Sequence, residues 1–333
     1  RVKASQTVIN RVCSRSVMQK YIITSSRCQI KTPLLLHSRK KCFIIYLSMQ
    51  TKCTQCPVAC GADRTVRAGA CSVKGLKIAK YYLHPFEEPP ISFKKGSGCI
   101  FFCGCPLKCR FCQNFEVSRA ARGKDITPAQ LADIFKELED MGADNINLVN
   151  PSHYLSDIAE AFKLYKPHIP VVYNTHSYEK LESLKIAAGF VDIWLPDLKF
   201  TDPNMARRYT ARADYAKSAL PAIEFMAQKQ PSFDEEGKML TGCIIRHLIM
   251  PLGVEDSVNV VNFVATLPHT VYFSLMSQYT PCGDIEDIPE LKRKITSRQY
   301  KKVLAAVEAA GLENVFLQER GSATTTYIPK WDY

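Results

Sequence analysis

GSGCIFFCGCPLKCRFCQNFEVS, residues 96–118, decides how the rest of the chain is read. Its first part, Gly98–Cys103, is an apolar run of strand length. Its second part is a loop carrying Cys105, Cys109 and Cys112 at C-x3-C-x2-C spacing, with no fourth cysteine close downstream. Three thiolates hold three corners of a cubane iron–sulfur cluster and leave the fourth iron open. Clusters built for electron transfer usually have every iron capped by protein, so the spacing points to chemistry at the cluster. A zinc knuckle is the competing reading, but zinc sites pair their ligands and complete four of them.

Downstream of that strand the sequence alternates. Thr127-Pro128 opens a helix with a capping residue and proline in the first turn, and Leu131, Ile134, Phe135 and Leu138 recur at helical spacing. Strands are predicted at Ile146–Val149, Val171–Tyr173, Val191–Leu195, Ile244–Met250 and Val271–Met276. Helices are predicted at Asp157–Lys166, Glu179–Ala188, Met205–Ala211, Ser218–Ala227, Val258–Ala265 and Ser297–Ala310. Six strands alternating with helices predict an α/β fold with a parallel sheet and helices outside it. Ser232–Lys238 reads as a solvated acidic turn.

Of 333 residues 46% are hydrophobic, enough for one barrel-sized core. The net charge of +12 is uneven. Residues 1–48 hold ten Lys/Arg and no acid, so the remainder is +2 and carries no basic stripe for nucleic acid. The acid-free segment reads either as a transit-like peptide or as sequence upstream of a start at Met49. The second reading is favoured, and both place residues 1–48 outside the fold. The longest apolar run there, Cys42–Leu47, is far too short to cross a bilayer, so no membrane partner is expected.

Nine of fourteen cysteines lie between Cys53 and Cys112. Cys53, Cys56, Cys60 and Cys71, spaced C-x2-C-x3-C-x10-C, supply four ligands for a closed site, either a second iron–sulfur cluster or zinc. Thiols committed to metal point to a reducing compartment. The cytoplasm is expected, or an organelle if the leader is a transit segment. Cys99 and Cys103 read as buried strand thiols. Cys243 and Cys282 have no partner in sequence.

C-x3-C-x2-C with Phe111 before the last cysteine is the signature of the radical S-adenosylmethionine (SAM) enzymes. Residues 96–118 resemble more specifically the proteins related to the activating enzyme of pyruvate formate-lyase, and the resemblance runs from about Cys53 to about Gln318. It implies a partial (β/α)6 TIM-like radical-SAM barrel over residues 91–320, with a cysteine-rich metal-binding element at 49–90 and a tail at 321–333. It implies a [4Fe–4S] cluster on Cys105, Cys109 and Cys112 and reductive cleavage of SAM to a 5′-deoxyadenosyl radical that abstracts hydrogen from a substrate. A glycyl-radical enzyme as protein substrate and flavodoxin or ferredoxin as electron donor follow from the same resemblance. The competing class is an iron–sulfur or zinc protein for electron transfer or scaffolding that never cleaves SAM.

The functional groups of such a barrel gather at the C-terminal ends of its strands. There the resemblance places Asn150 near the SAM amino group, although Asn150-Pro-Ser-His153 lacks the family's Gly-Gly-Glu. It places Asn174 and Thr175 beside Asp197 and Lys199. The run Leu195-Pro-Asp197-Leu-Lys199 matches the family's Asp-Leu-Lys. Lys199 is expected on the SAM carboxylate, and Asp197 on methionine directly or through a monovalent cation. Phe111 is expected near adenine, with a plain core role as the alternative, and Arg246 is the best basic candidate on the fifth strand, with a structural salt bridge as its equal alternative. His153, His176 and His247 stay open between structural and functional roles, with a structural role favoured for His176.

Overall fold

The computed structural model describes residues 6–8, 52–119, 121–318 and 331, and for 6–8 only the backbone. The other expectations for residues 1–48 and for the tail 321–333 lie outside the described residues, Trp331 excepted.

Seven strands run parallel in the order β3 (Ser97–Phe102), β5 (Ile146–Val149), β6 (Val171–Thr175), β7 (Ile193–Pro196), β9 (Met239–Leu248), β10 (Tyr272–Met276) and β11 (Val315–Gln318). The six strands read from sequence are all present. The seventh, β11, is an addition: its four residues follow the last helix and are fully buried. Two antiparallel elements extend the β3 edge, namely β2 (Lys77–His84), which pairs with β3, and the two-residue β4 (Lys124–Asp125), which pairs with β2. At the other edge β1 (Gln6–Val8), from the segment set aside above, pairs antiparallel with β11. The Ser232–Lys238 turn also differs from a plain loop. Ser232–Phe233 forms β8 against β9, and Asp234 closes the turn by accepting from the Glu236 and Lys238 amides. The sheet is open, a partial barrel.

Helices fill the crossovers: α1 (Phe115–Ser118), α2 (Pro128–Asp140), α3 (Leu155–Leu164), α4 (Leu181–Ala187), α5 (Pro203–Thr210), α6 (Tyr215–Met226), α7 (Val254–Ala265) and α8 (Ser297–Ala309). In α2 the Thr127 hydroxyl accepts from the Gln130 amide while Gln130 reaches back to the Thr127 amide, a cap contributing about 1 kcal/mol. Its face of Leu131, Ile134, Phe135 and Leu138 is buried under the sheet, as the spacing predicts. No helix among the described residues is long and apolar enough to cross a membrane.

Side chains alternate across a strand, so each parallel strand sends one set toward the helices and one into the concave face. Tyr173, Trp194, Ile245 and Phe273 belong to the helix-covered core. Val172, Ile193, Leu195, Ile244 and Phe316 form a separate cluster on the other face, and its centre is Ile91. Ile91 is fully buried although it comes from the β2–β3 connection. That connection threads through the inside of the open barrel. The Ile91 carbonyl accepts from Asn145 Nδ2 (2.5 Å) and Ser97 Oγ (3.2 Å), and the Pro90 carbonyl accepts from the Met239 amide (2.8 Å). Residues 85–91 thus tie the β3–β5 side of the sheet to β9 and plug the concave face from below.

Candidate functional site

Above the plug lies a cavity of about 740 Å³. Its wall follows from strand alternation: moving up each inner face, Val172 gives way to Asn174, Leu195 to Asp197, and Ile244 to Arg246. The cavity is lined by Cys105, Cys109, Phe111 and Cys112 from the cysteine loop, Asn150, Asn174 and Thr175 from β5 and β6, and Asp197, Lys199 and Arg246 from β7 and β9. The sequence-predicted residues of the first site therefore meet in one place.

The cysteine loop is fixed from behind. Gly104 has φ +78°, and a Cβ there would lie 2.4 Å from the Cys71 carbonyl, so only glycine passes. The Cys105 amide donates to that same carbonyl at 3.1 Å. On the far side Gly283, at φ +81°, comes so close that its Cβ would sit 2.3 Å from the Arg110 carbonyl. Arg110 is anchored to Asp284 and Asp287. Burial pushes the Cys105 thiol up to about 11, against amide donors from Lys108 and Leu107. Burial also pushes Cys109 up, against the charge of Lys199. Both thiols feel their neighbours in the set as like charges. Such a group favours its thiolate form only when a metal supplies positive charge, which suits a cluster in this position. Cys282 donates its thiol to the Phe111 carbonyl (3.4 Å) just outside this loop.

Four charged side chains form an alternating line across the cavity. Arg246 donates through Nε to Asp197 Oδ1 (2.8 Å), through Nη1 to Glu87 Oε2 (3.2 Å) and through Nη2 to Asn174 Oδ1 (2.7 Å). Lys199 Nζ donates to Asp197 Oδ2 at 2.8 Å. Burial alone raises the Asp197 carboxyl, but Arg246 and Lys199 outweigh it and hold the group down at about 2. Burial likewise depresses Lys199, and the Asp197 carboxylate overrides it. Both Asp197 oxygens are thus held by side-chain cations.

Glu87 was missed in the sequence. It rides on the plug, and Oε1 accepts from Asn147 (3.1 Å) and Asn174 (3.4 Å). The one local signal is the pair Glu87-Glu88 ahead of Pro89-Pro90, between the apolar Phe86 and Ile91. Asn150 sits at φ 62°, a region asparagine tolerates. Its Nδ2 donates to the Gly104 carbonyl (2.7 Å), and its buried Oδ1 has no partner. An acceptor left over in the cavity wall fits a ligand with a donor such as an ammonium. Thr175 donates to Glu179 (2.5 Å), and Phe111 packs edge-on to Phe200 at 6.0 Å.

The histidines separate. His153 bonds the Cys103 carbonyl, and His247 bonds Leu198 and Ser257. His176 accepts from the Tyr178 amide and lines the cavity with a buried Nε2 that has no partner. Burial, then Lys199, pushes it down to about 3, so the ring is neutral. Cys99 and Cys103 are buried strand thiols, with Cys103 donating to the Arg122 carbonyl. Cys53, Cys56, Cys60 and Cys71 lie outside the cavity lining, behind the cysteine loop.

Residues 99–245 match the family profile described as Radical SAM superfamily. A protein of Methanocaldococcus jannaschii, itself uncharacterised, is 27% identical over 274 residues, covering 79% of this chain and 76% of its own length. Among solved structures, Streptococcus suis SuiB bound to precursor peptide SuiA is similar at 14% identity and TM-score 0.45, over 65% of this chain and 46% of that one. This chain therefore spans about half the length of SuiB. A domain of pyruvate-formate lyase-activating enzyme from Bacteroides vulgatus is similar at 14% identity and TM-score 0.35, over 58% of this chain and 91% of that one. The matching stretch carries the three cysteines together with Asn150, Asn174, Asp197 and Lys199 of the cavity wall, and over it the chain is similar to the radical SAM superfamily.

Proposed function

We propose that this chain is an enzyme that binds SAM against a [4Fe–4S] cluster held by Cys105, Cys109 and Cys112 and uses it to abstract hydrogen from a substrate. The observation that carries the reading is that three thiols, with no fourth in their loop, open into the same cavity as the Glu87–Arg246–Asp197–Lys199 line. When bound and reduced, the cluster supplies the electron that splits the sulfonium. The chain's own residues bind and orient. Asn150 Oδ1 accepts from the SAM ammonium, and Lys199 faces the SAM carboxylate while Asp197 keeps it charged. Phe111 and the buried wall exclude water. Arg246 and Lys199 already offset the Asp197 charge, so Asp197 needs no monovalent cation.

Glycyl-radical installation on a partner protein is the substrate reading carried over from the sequence resemblance, with flavodoxin or ferredoxin as the electron donor. The test is anaerobic reconstitution of the full chain with iron and sulfide, reduction, addition of SAM and measurement of 5′-deoxyadenosine. Product from the native chain and none from Cys105→Ala, Cys109→Ala or Cys112→Ala supports the proposal. A fully loaded cluster whose spectrum ignores SAM rejects it in favour of a redox or scaffold protein.

A further inference from the structure

At the upper end of β6 the sequence resemblance carries over Asn174 and Thr175, and both are engaged with protein. Asn174 accepts from Arg246 (2.7 Å) and donates to Glu87 (3.4 Å). Thr175 donates to Glu179 (2.5 Å) and accepts from the Ser177 amide (3.1 Å). The next residue, His176, for which the sequence favours a structural role, is only half engaged. It is 7% exposed and lines the cavity. Its Nδ1 accepts from the Tyr178 amide at 3.1 Å, so Nδ1 carries no hydrogen and the neutral ring bears its proton on Nε2. Nε2 is buried and has no partner among the described residues. Buried donors in native proteins are normally paired, and an acceptor on a ligand in the cavity pairs this one.

Main-chain bonds fix where the donor stands. The Tyr215 hydroxyl lies 3.0 Å from the His176 carbonyl, 2.8 Å from the Asp197 carbonyl and 3.0 Å from the Lys199 amide. The Asp197 amide donates to the Thr175 carbonyl at 2.8 Å. One buried hydroxyl thus fastens the upper end of β6 to the run that carries Asp197 and Lys199. Because β6 lies between β5 and β7 in the sheet, His176 stands between Asn150 and Lys199, and all three line the same cavity.

The chemistry of SAM selects the acceptor. In the function proposed above, on which this inference rests, Asn150 and Lys199 take the amino-acid end of SAM. At that end the ammonium has no lone pair and the sulfonium is a cation. The carboxylate is the acceptor that a ring N–H can use, and a hydrogen bond to an ionised oxygen is among the stronger ones. Neutrality suits the place. Arg246 and Lys199 are already matched by Glu87 and Asp197, and an imidazolium would set a further cation against Lys199. Burial and the Lys199 charge both disfavour that form.

We infer that His176 is a SAM-binding residue, donating from Nε2 to the SAM carboxylate beside Lys199. The Tyr178 amide selects the tautomer that makes it a donor.

The test measures binding apart from turnover. The full chain is loaded anaerobically with iron and sulfide. Equilibrium dialysis then gives its affinity for SAM and for decarboxylated SAM, the same molecule without the carboxylate. His176→Phe keeps a ring and removes the donor. It is expected to weaken SAM about tenfold, the scale of a hydrogen bond to a charged group. Its affinity for decarboxylated SAM and its iron content are expected to match the native chain. His176→Gln carries an N–H at a similar reach and is expected to recover most of the loss. Unchanged SAM affinity in His176→Phe overturns the inference. So does an equal loss for the two ligands, or a loss in His176→Gln as large as in His176→Phe. If His176→Phe does not fold, His176→Asn, too short to reach the same point, takes its place with the same expected results. A loaded native chain that binds no SAM rejects the proposed function and this inference with it. Any of the contrary results in a native chain that does bind SAM rejects this inference alone.

Discussion

Glu87 and Arg246 are 159 residues apart in sequence and meet at 3.2 Å on the floor of the cavity. Both side chains are largely buried, 11% and 15% exposed. Arg246 spends all three of its nitrogens on different partners, a use of the planar fork that a lysine ammonium does not reproduce. Glu87→Gln is expected to lower 5′-deoxyadenosine formation by about tenfold, the equivalent of about 1.4 kcal/mol in the barrier, with iron content unchanged. Arg246→Lys is expected to do the same. Full activity in both variants, measured at equal cluster loading, would remove the charged line from the mechanism.

Glu88, next along the plug, gives a pH dependence. Burial pushes its carboxyl from 4.5 up to about 7, with the Arg246 charge opposing only in part. Between those values the folded protein keeps a proton that the unfolded chain has lost. The stability this group contributes is full below the unfolded value and falls as pH rises to the folded one. The loss is roughly 3 kcal/mol at most. Glu88→Gln keeps the shape and cannot ionise, so its Tm is expected to exceed that of the native chain at about pH 8 and to match it at about pH 5. An equal difference at both values, or none, contradicts the assignment.

Ile91 anchors the plug with a fully buried side chain. Ile91→Ala is expected to cost about 2–5 kcal/mol in denaturant unfolding. Activity is expected to fall further than the unfolded fraction explains, because Glu87 rides on the same segment. A stability loss with unchanged turnover of the folded fraction would show that floor and site are independent.

Gly104→Ala forces a methyl group to within 2.4 Å of the Cys71 carbonyl at a φ of +78°. The strain is about 1–3 kcal/mol and falls on the loop that holds Cys105. Reconstituted variant protein is expected to retain less than half the native iron at the first site. Native iron content and an unshifted spectrum would mean that the loop does not depend on this contact.

The sequence shows the barrel and the first site well because both obey local rules. The Thr127–Gln130 cap, the Leu131–Leu138 stripe and the β5 run Ile146–Val149 each follow from residues within one turn or one strand. The site residues Asn150, Asn174, Asp197 and Arg246 appear where apolar strand residues give way to polar ones. β11 is hard to read in the sequence because Val315-Phe-Leu-Gln318 is short and follows the last helix with only a turn between. β2 is hard to read in the sequence because Lys77–His84 mixes lysine, tyrosine and histidine on a half-buried edge. The only local signal of Glu87 is the Glu-Glu-Pro-Pro stretch, which by itself reads as a surface turn. Only the inward threading of the segment, set by Ile91 among residues of β6, β7, β9 and β11, brings it to Arg246.

That threading bears on how such a protein can change. Loops above barrel strands are usually interchangeable: new ones are grafted, the scaffold persists and chemistry diversifies. Residues 85–91 do not have that freedom. A graft replacing Glu87 to reshape the floor would also exchange Ile91 and the Pro90 carbonyl, and so would unfasten the open sheet from within. In this lineage, diversification is expected at the outer rim around Gln113, Asn114 and Gln278, while the seam and its carboxylate are inherited together.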